Sequence, residues 1–426
     1  MLSIGLMSGT SMDGIDAALL KTDGETHIQE LGHASIDYDP EFKILLKTAE
    51  YAVRSSKGDL EAANRHCVHF LEDYLTHELH QSSDQMRETQ KTLADYVTKR
   101  LNYPSLNLLS IIQHSTDLHA AAVRKLLNKT DTSPEKIDVV GYHGQTLFHA
   151  PALKCSVIVG DGQHLANQLG ITVVNDFRRA DLEHGGQGAP LAPLYHYALA
   201  MRDQKIPLAV VNCGGIANIT FINNSNMMDL LAFDTGPGNG LIDRLIRQRT
   251  NGLETMDKDG VYGKKGKINP EVIQALYEQS LSKNNQNYFS LRPPKALDIG
   301  DLNLISELQT LSLEDACATL EAFTADTIVH SVQWSNTVPH RWILAGGGWN
   351  NPVIYYELKK RLQQRLGDTL QLLRAEEAGW NSQALEAQVF AYLAVRSLQN
   401  KPLSVPGTTQ VSHPCPGGCI FRAEKQ

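Results

Sequence analysis

The stretch Ser8-Gly9-Thr10-Ser11-Met12-Asp13-Gly14-Ile15-Asp16 gathers hydroxyls, glycines and two carboxylates into one short run. A turn of that composition exposes backbone N–H groups and hydroxyls, which suit phosphate oxygens. Asp13 and Asp16 beside it could position a hydrated Mg²⁺, which prefers carboxylates plus waters. A plain polar β-turn would use the same residue types. It is not a Walker loop: no GxxxxGK[ST] occurs, and Gly263-Lys264-Lys265-Gly266 lacks the spacing. In Phe233-Asp234-Thr235-Gly236-Pro237-Gly238-Asn239 an Asp closes an apolar run and two glycines precede a helix from Leu241. A carboxylate at a strand end suits a general base or a metal ligand, and an Asp N-cap is the alternative. Gly346-Gly347-Gly348 after another apolar run would let backbone approach a flat ligand, or simply make a tight connection. Arg178, in Asp176–Asp181, could fork onto a carboxylate or phosphate, or form a structural salt bridge. Gly141-Tyr142-His143-Gly144-Gln145-Thr146 offers hydrogen-bonding side chains at a further strand end.

Two patterns carry less. His66, His69, Asp73, His77 and His80 share a helical stripe, but it lies well off the apolar face and reads as a solvated flank. Cys415 and Cys419 with His413 lack the second ligand pair of a structural zinc site.

The elements that must position these groups repeat. Leu2–Leu6, a glycine turn, a return strand to Leu20 and a third near His33–Tyr38 are echoed by Leu208–Asn212, Cys213-Gly214-Gly215, Ile216–Ile222 and Leu230–Phe233. Ile137–Gly141 is echoed by Trp342–Ala345, and Ile171–Val174 by Leu370–Leu373, each of the last pair leading to a helix, Ala192–Arg202 and Gln383–Leu398. Each offset is close to half the chain, which predicts a duplicated β-β-β-α-β-α-β-α unit. Residues 59–128 fall outside the echo and read as helices over Leu60–Leu79, around Met86–Val97 and over Leu108–Leu127. The Pro-, Gly- and Ser-rich tail after Pro402 is expected to loop over the surface.

The chain has 426 residues, 42% apolar and 20% charged, with a formal charge of −8. That length suits two or three domains, and the balance is that of a folded chain. The acidic excess without a Lys/Arg cluster argues against a nucleic-acid partner. No apolar run is long enough for a membrane span, and Met1–Gly9 has no secretory pattern. Six cysteines fit a reducing compartment, so a cytoplasmic location is expected.

Ile4–Asp16 resembles the opening signature of the anhydro-N-acetylmuramic acid kinase family. Gly141–Thr146, Asp176–Arg178, Gly185–Pro190, Asn212–Asn218, Phe233–Asn239 and Ala345–Gly348 resemble its later motifs, in order, over a span from Leu2 to Leu398. The segment around Gln85–Ser110 is longer than the family core, and the Cys-bearing tail finds no counterpart. The resemblance implies an α/β fold of two related domains of the actin-like ATPase (ribonuclease H-like) type with ATP in the cleft between them. These would be residues 1–206, with the helical insert, and 207–426, whose last helix packs back toward the first domain. It implies that Gly9, Thr10, Ser11, Met12, Asp13, Gly14, Ile15 and Asp16 hold the ATP phosphates, with Asp13 near Mg²⁺ through water. Gly214, Gly215 and Gly236 would complete that site, and Gly346, Gly347 and Gly348 would border the adenosine. Asp234 would be the catalytic base, and His143, Gln145, Arg178 and Glu386 would line the sugar pocket.

The implied reaction converts 1,6-anhydro-N-acetylmuramate, ATP and water to N-acetylmuramate 6-phosphate and ADP, in cell-wall recycling, by a cytoplasmic homodimer. An ordinary sugar kinase is the main alternative. A chaperone or filament ATPase and a phosphatase-like relative are more distant ones.

Overall fold

The computed structural model describes residues 1–424 except 10–11, 80, 281–285 and 298–300. The chain forms two compact units: Met1–Ala198 with Gln383–Ser404 and Val411–Gln426, and Leu199–Ser382 with Val405–Gln410.

In the first unit, β1 (Leu2–Ser8), β2 (Gly14–Thr22), β3 (Ile28–Asp37), β4 (Val139–Ala150), β5 (Cys155–Val159) and β6 (Val173–Asn175) share one sheet with a short strand, Cys419–Phe421. β1 and β2 are antiparallel, as are β2 and β3, whereas β4 runs parallel to β1 and to β6. The second unit contains β7 (Leu208–Cys213), β8 (Ile216–Ile222), β9 (Leu231–Pro237), β10 (Arg341–Ala345) and β11 (Gln371–Arg374). Their order is β11-β10-β7-β8-β9. β7–β8 and β8–β9 are antiparallel, and β10 is parallel to both β7 and β11. The two sheets therefore repeat one topology, with three antiparallel strands continued by two parallel ones. Both units are mixed α/β, each built on such a sheet.

β1 alternates faces as a central strand should. Ile4 and Leu6 enter a core with Phe42, Leu45 and Leu46 of the helix Pro40–Ser55 and Val123 and Leu126 of the helix Leu108–Lys129. The opposite face meets the helix Leu385–Leu398 at unusually short range. Gly5 and Gly141 lie opposite each other on β1 and β4. A Cβ on Gly5 would sit 1.8 Å from the Ala387 carbonyl oxygen, and one on Gly141 2.0 Å from that of Phe390. The Ser3 hydroxyl donates to the Ala391 carbonyl at 2.7 Å in the same seam. In the second unit the helix Leu313–His330 is buried along most of its length and meets β9 at Gly236, where a Cβ would lie 2.7 Å from Thr327 Oγ1.

Several expectations need correction. The stretch Leu60–Leu79 is two helices, Leu60–Arg65 and Cys67–His77, because His66 leaves helical geometry at φ −110°, ψ 17°. The helix Pro40–Ser55 and the strand β5 were not anticipated. β4 and β9 run through their polar motifs, so His143, Gln145 and Asp234 lie within strands. The tail is not a surface loop: Val405, Thr408, Thr409, Val411 and Cys415 are buried, and Cys419–Phe421 pairs with β6. Its glycines serve close approach, Gly407 against the Leu230 carbonyl and Gly418 against Ser397, and composition alone does not distinguish that use from a loop.

Gly5→Ala and Gly141→Ala should each destabilise the first unit by about 2–4 kcal/mol, because the obstructing atoms are helix backbone and cannot rotate away. Gly347→Ala, whose Cβ meets nothing within 4 Å, should leave thermal melting unchanged. Equal melting of all three variants would contradict the glycine seam.

Candidate active site

In the second unit three glycine turns meet at the carboxyl end of β7. The Asn239 N–H donates to the Gly214 carbonyl at 2.7 Å, and the N–H groups of Gly238 and Gly240 both donate to Gly215 at 3.0 Å. Cys213 packs beneath them: added Cβ atoms on Gly238, Gly346 and Gly348 would each approach Cys213 within 3.2 Å or less. Gly346 also needs its φ of +91°, which an L side chain rarely adopts. Gly347 faces open space and Gly214 nearly so. The turns at Gly214–Gly215 and Gly346–Gly348 therefore present backbone rather than side chains, as a nucleotide-binding surface requires. Gly236 differs, since its missing side chain makes room for Thr327.

Asp234 stands on β9, opposite Asn218 of β8. It is not an N-cap: the helix Gly240–Arg249 starts from Asn239. Because β9 is an edge strand, its outward backbone groups need partners from outside the sheet. One loop supplies them. The Asp234 N–H donates to the Lys295 carbonyl at 3.0 Å, and the Tyr288 hydroxyl donates to the Asp234 carbonyl at 2.6 Å. The Leu297 N–H donates to Asp234 Oδ2 at 2.8 Å. Burial pushes the Asp234 carboxyl up to about 7, and the Leu297 hydrogen bond opposes that shift without cancelling it. A carboxylate with that affinity for a proton can take one from water near neutral pH.

In the first unit the Gly9–Asp16 turn closes through a Met12 N–H bond to the Gly9 carbonyl at 3.1 Å, with Met12 at φ +56°. Thr10 and Ser11 lie outside the described residues. Met12 and Ile15 point into the core, so only their backbones are available to a ligand. Asp13 is 74% exposed, 3.3 Å from Lys43 Nζ. Asp16 faces a different cleft, lined by His33, Lys125, Lys129 and Gln383. Burial raises its carboxyl above the usual carboxylate range despite the opposing charge of His33. Of the two acids, Asp13 is the one placed at the turn.

Beside the turn, Gln145 Nε2 donates to the Gly9 carbonyl at 3.1 Å and Ser8 Oγ to the Gly144 carbonyl at 3.0 Å. His143 Nδ1 bonds to the Gly144 carbonyl at 2.8 Å, and its Nε2 lies 3.1 Å from Arg178 Nη2. That pairing makes the ring neutral, with the proton on Nδ1 facing the carbonyl and Nε2 accepting from the guanidinium. Burial and the Arg178 charge hold its pKa well below the ordinary value. Arg178 Nη1 also donates to the Gly188 carbonyl at 2.8 Å, and Asp181 accepts the Gly188 N–H at 2.6 Å. Arg178 thus braces the Gly185–Gly188 loop, and its Nε and the Gln145 Oε1 are buried with no hydrogen-bond partner among the described residues. Glu386 is close enough to influence the Arg178 charge. His143, Gln145 and Arg178 thus lie together beside the Gly9 turn, with Glu386 acting on Arg178.

Sequence reasoning missed Tyr288, Lys295 and Leu297, which act on Asp234 through backbone groups and leave no motif. Among the described residues no group of three or more His, Cys, Asp or Glu is arranged to hold a metal ion, and no helix is long and apolar enough to cross a membrane. In the histidine stripe, His69 pairs with Asp73 at 3.6 Å, and His80 lies outside the described residues. All six cysteines are free.

Twice-repeated topology, glycine turns at the strand ends and a half-buried acid on the second unit suit a phosphotransferase. The family model for anhydro-N-acetylmuramic acid kinase matches residues 60–423, a stretch that includes the Cys-bearing tail. An anhydro-N-acetylmuramic acid kinase of Rhizorhabdus wittichii is 38% identical over 422 residues, covering 99% of each chain. One of Zymomonas mobilis subsp. mobilis is 38% identical over 421 residues, again 99% of each. The chain belongs to the anhydro-N-acetylmuramic acid kinase family and is an ATP-dependent sugar kinase.

The raised Asp234 pKa has a consequence for stability. The unfolded carboxyl ionises near 3.8 and the folded one near 7, so folding loses stability as pH rises between those values. Asp234→Asn keeps an acceptor for Leu297 and removes that cost. It should be more stable than the parent at pH 8 by about 1–3 kcal/mol, with the gain vanishing toward pH 4. A gain independent of pH would show that Asp234 is not the group being relieved.

Proposed function

We propose that this protein uses ATP and water to convert 1,6-anhydro-N-acetylmuramate to N-acetylmuramate 6-phosphate and ADP. The observation that carries the reading is Asp234, a carboxylate raised to about 7 by burial, with one oxygen occupied by the Leu297 N–H. In a 1,6-anhydro sugar, O6 is bonded to C1 and carries no proton. Transfer of phosphate to O6 therefore requires the C1–O6 bond to break, with water supplying a new oxygen at C1. Asp234 would take the proton of that water as its oxygen bonds C1. O6 would leave C1 with the bonding electrons and bond to the γ-phosphorus, releasing ADP. A group with a pKa near the working pH is the appropriate acceptor for that proton.

The backbone of Gly9–Asp16 would hold the phosphates, with Gly214 and Gly215 contributing further N–H groups and Gly346–Gly348 meeting the adenosine. Such preorganised donors stabilise charge developing on the transferred group. His143, Gln145, Arg178 and Glu386 would bind the sugar. Asp13, exposed and alone at the turn, fits an Mg²⁺ that keeps most of its waters. When bound, that ion would neutralise phosphate charge, and Asp13 would have to exchange Lys43 for it. A cytoplasmic location, a homodimer and a place in cell-wall recycling belong to the same proposal and rest on the family likeness.

Asp234→Asn should lower turnover by about 10²–10⁴ while leaving ATP affinity within a few-fold, measured by ADP release and by nucleotide titration. Wild-type activity should rise with pH through about 7, as the carboxylate forms. Near-normal turnover of Asp234→Asn would end the assignment of the base. Faster phosphorylation of N-acetylmuramate, with its free O6 hydroxyl, than of the anhydro sugar would indicate an ordinary sugar kinase instead.

A further inference from the structure

Lys295 is a buried cation that neither the reaction nor the family likeness explains. It is 6% exposed, and among the described residues it makes no ion pair with a carboxylate. Its Nζ donates to the Tyr288 carbonyl at 2.9 Å and lies 4.5 Å from the centre of the Tyr288 ring. Phe289 and Trp334 stand at 5.9 Å and Phe233, next to Asp234, at 6.0 Å. An aromatic enclosure of this kind stabilises a desolvated ammonium through the ring faces.

The ammonium joins the two ends of the segment that surrounds Asp234. Tyr288, whose carbonyl it holds, donates its hydroxyl to the Asp234 carbonyl. Lys295 itself accepts the Asp234 N–H through its own carbonyl, and two residues on, Leu297 donates to the carboxylate. Gln410 fixes the neighbouring Pro294 carbonyl from the other side. Every hydrogen bond that orients Asp234 from outside the sheet comes from the stretch that Lys295 ties together, among the described residues.

We propose that Lys295, held in its aromatic enclosure, is a positioning residue that keeps the Tyr288–Leu297 segment closed so that the Leu297 N–H meets the Asp234 carboxylate. The proposal rests on the reading of Asp234 as the base. The charged and titratable groups facing this cluster are Asp234, Tyr288, Asp301, which raises the Tyr288 hydroxyl, and His330, which feels the Lys295 charge. Burial lowers Lys295 only to about 8, so the ammonium persists at neutral pH.

The Leu297 bond favours the ionised form of Asp234, so loosening it must raise the carboxyl further. Lys295→Met keeps the apolar volume and removes the charge. At saturating ATP and 1,6-anhydro-N-acetylmuramate, its kcat at pH 7 should fall at least about twofold, with KM for ATP unchanged. The acidic limb of its kcat profile should move upward by about half a pH unit or more. Lys295→Gln should do the same, and Lys295→Arg, which keeps a cation for the rings, should restore the wild-type limb. A merely structural lysine would reduce the yield of folded enzyme or lower kcat equally at every pH. An unmoved acidic limb in folded Lys295→Met or Lys295→Gln overturns the proposal. So does failure of both neutral variants to fold, which would make Lys295 a core residue only. Asp234→Asn, run beside them, separates the two readings: its near-normal turnover removes the base itself, whereas its collapse with an unmoved limb removes only the role of Lys295.

Discussion

Keeping a carboxylate ionised where water is scarce is the constraint around which the second unit is arranged. Asp234 stands on an edge strand, so its backbone N–H and carbonyl need partners that the sheet cannot provide. The loop that satisfies them also covers the carboxylate, and covering it is what raises its proton affinity. Structural completion of the edge and tuning of the acid are one event. The single donor from Leu297 sets the balance: without it the group would resist ionisation further, and with several donors it would be too weak a base. The site gives up folding stability for that compromise, as active sites commonly do.

The first unit meets a different demand. Its phosphate-type turn must be held at the end of β1, and β1 must be held against a helix from near the other end of the chain. Paired glycines Gly5 and Gly141 let the helix Leu385–Leu398 lie directly on the sheet, and Ser3 pins it. The same helix carries Glu386 toward Arg178. Arg178 is held by the Gly188 carbonyl and a neutral His143, so its orientation is fixed before any ligand arrives.

Much of this was legible in the sequence because it recurs. Strand–glycine turn–strand patterns at matching places in each half disclosed the duplicated topology, and Asp234 was conspicuous between an apolar run and two glycines. What stayed hidden depends on contacts distant in sequence. The Pro-, Gly- and Ser-rich tail reads as a loop, yet Gly407 and Gly418 are small because backbone and Ser397 press against them. Lys295 looks like any surface lysine until four aromatic rings from three separate segments close around it. Asp16 sits only three residues from Asp13, but the alternation of β2 turns it to another cleft.

Activation of water by Asp234, coupled to capture of O6 by the γ-phosphate, is the claim on which the functional account turns. Turnover of the anhydro sugar in ¹⁸O-water, with product analysed early beside an unlabelled product control for slow exchange at C1, tests it directly. The account predicts label on the anomeric hydroxyl and none in the transferred phosphate. Label in the phosphate, with an unlabelled anomeric oxygen, would contradict it.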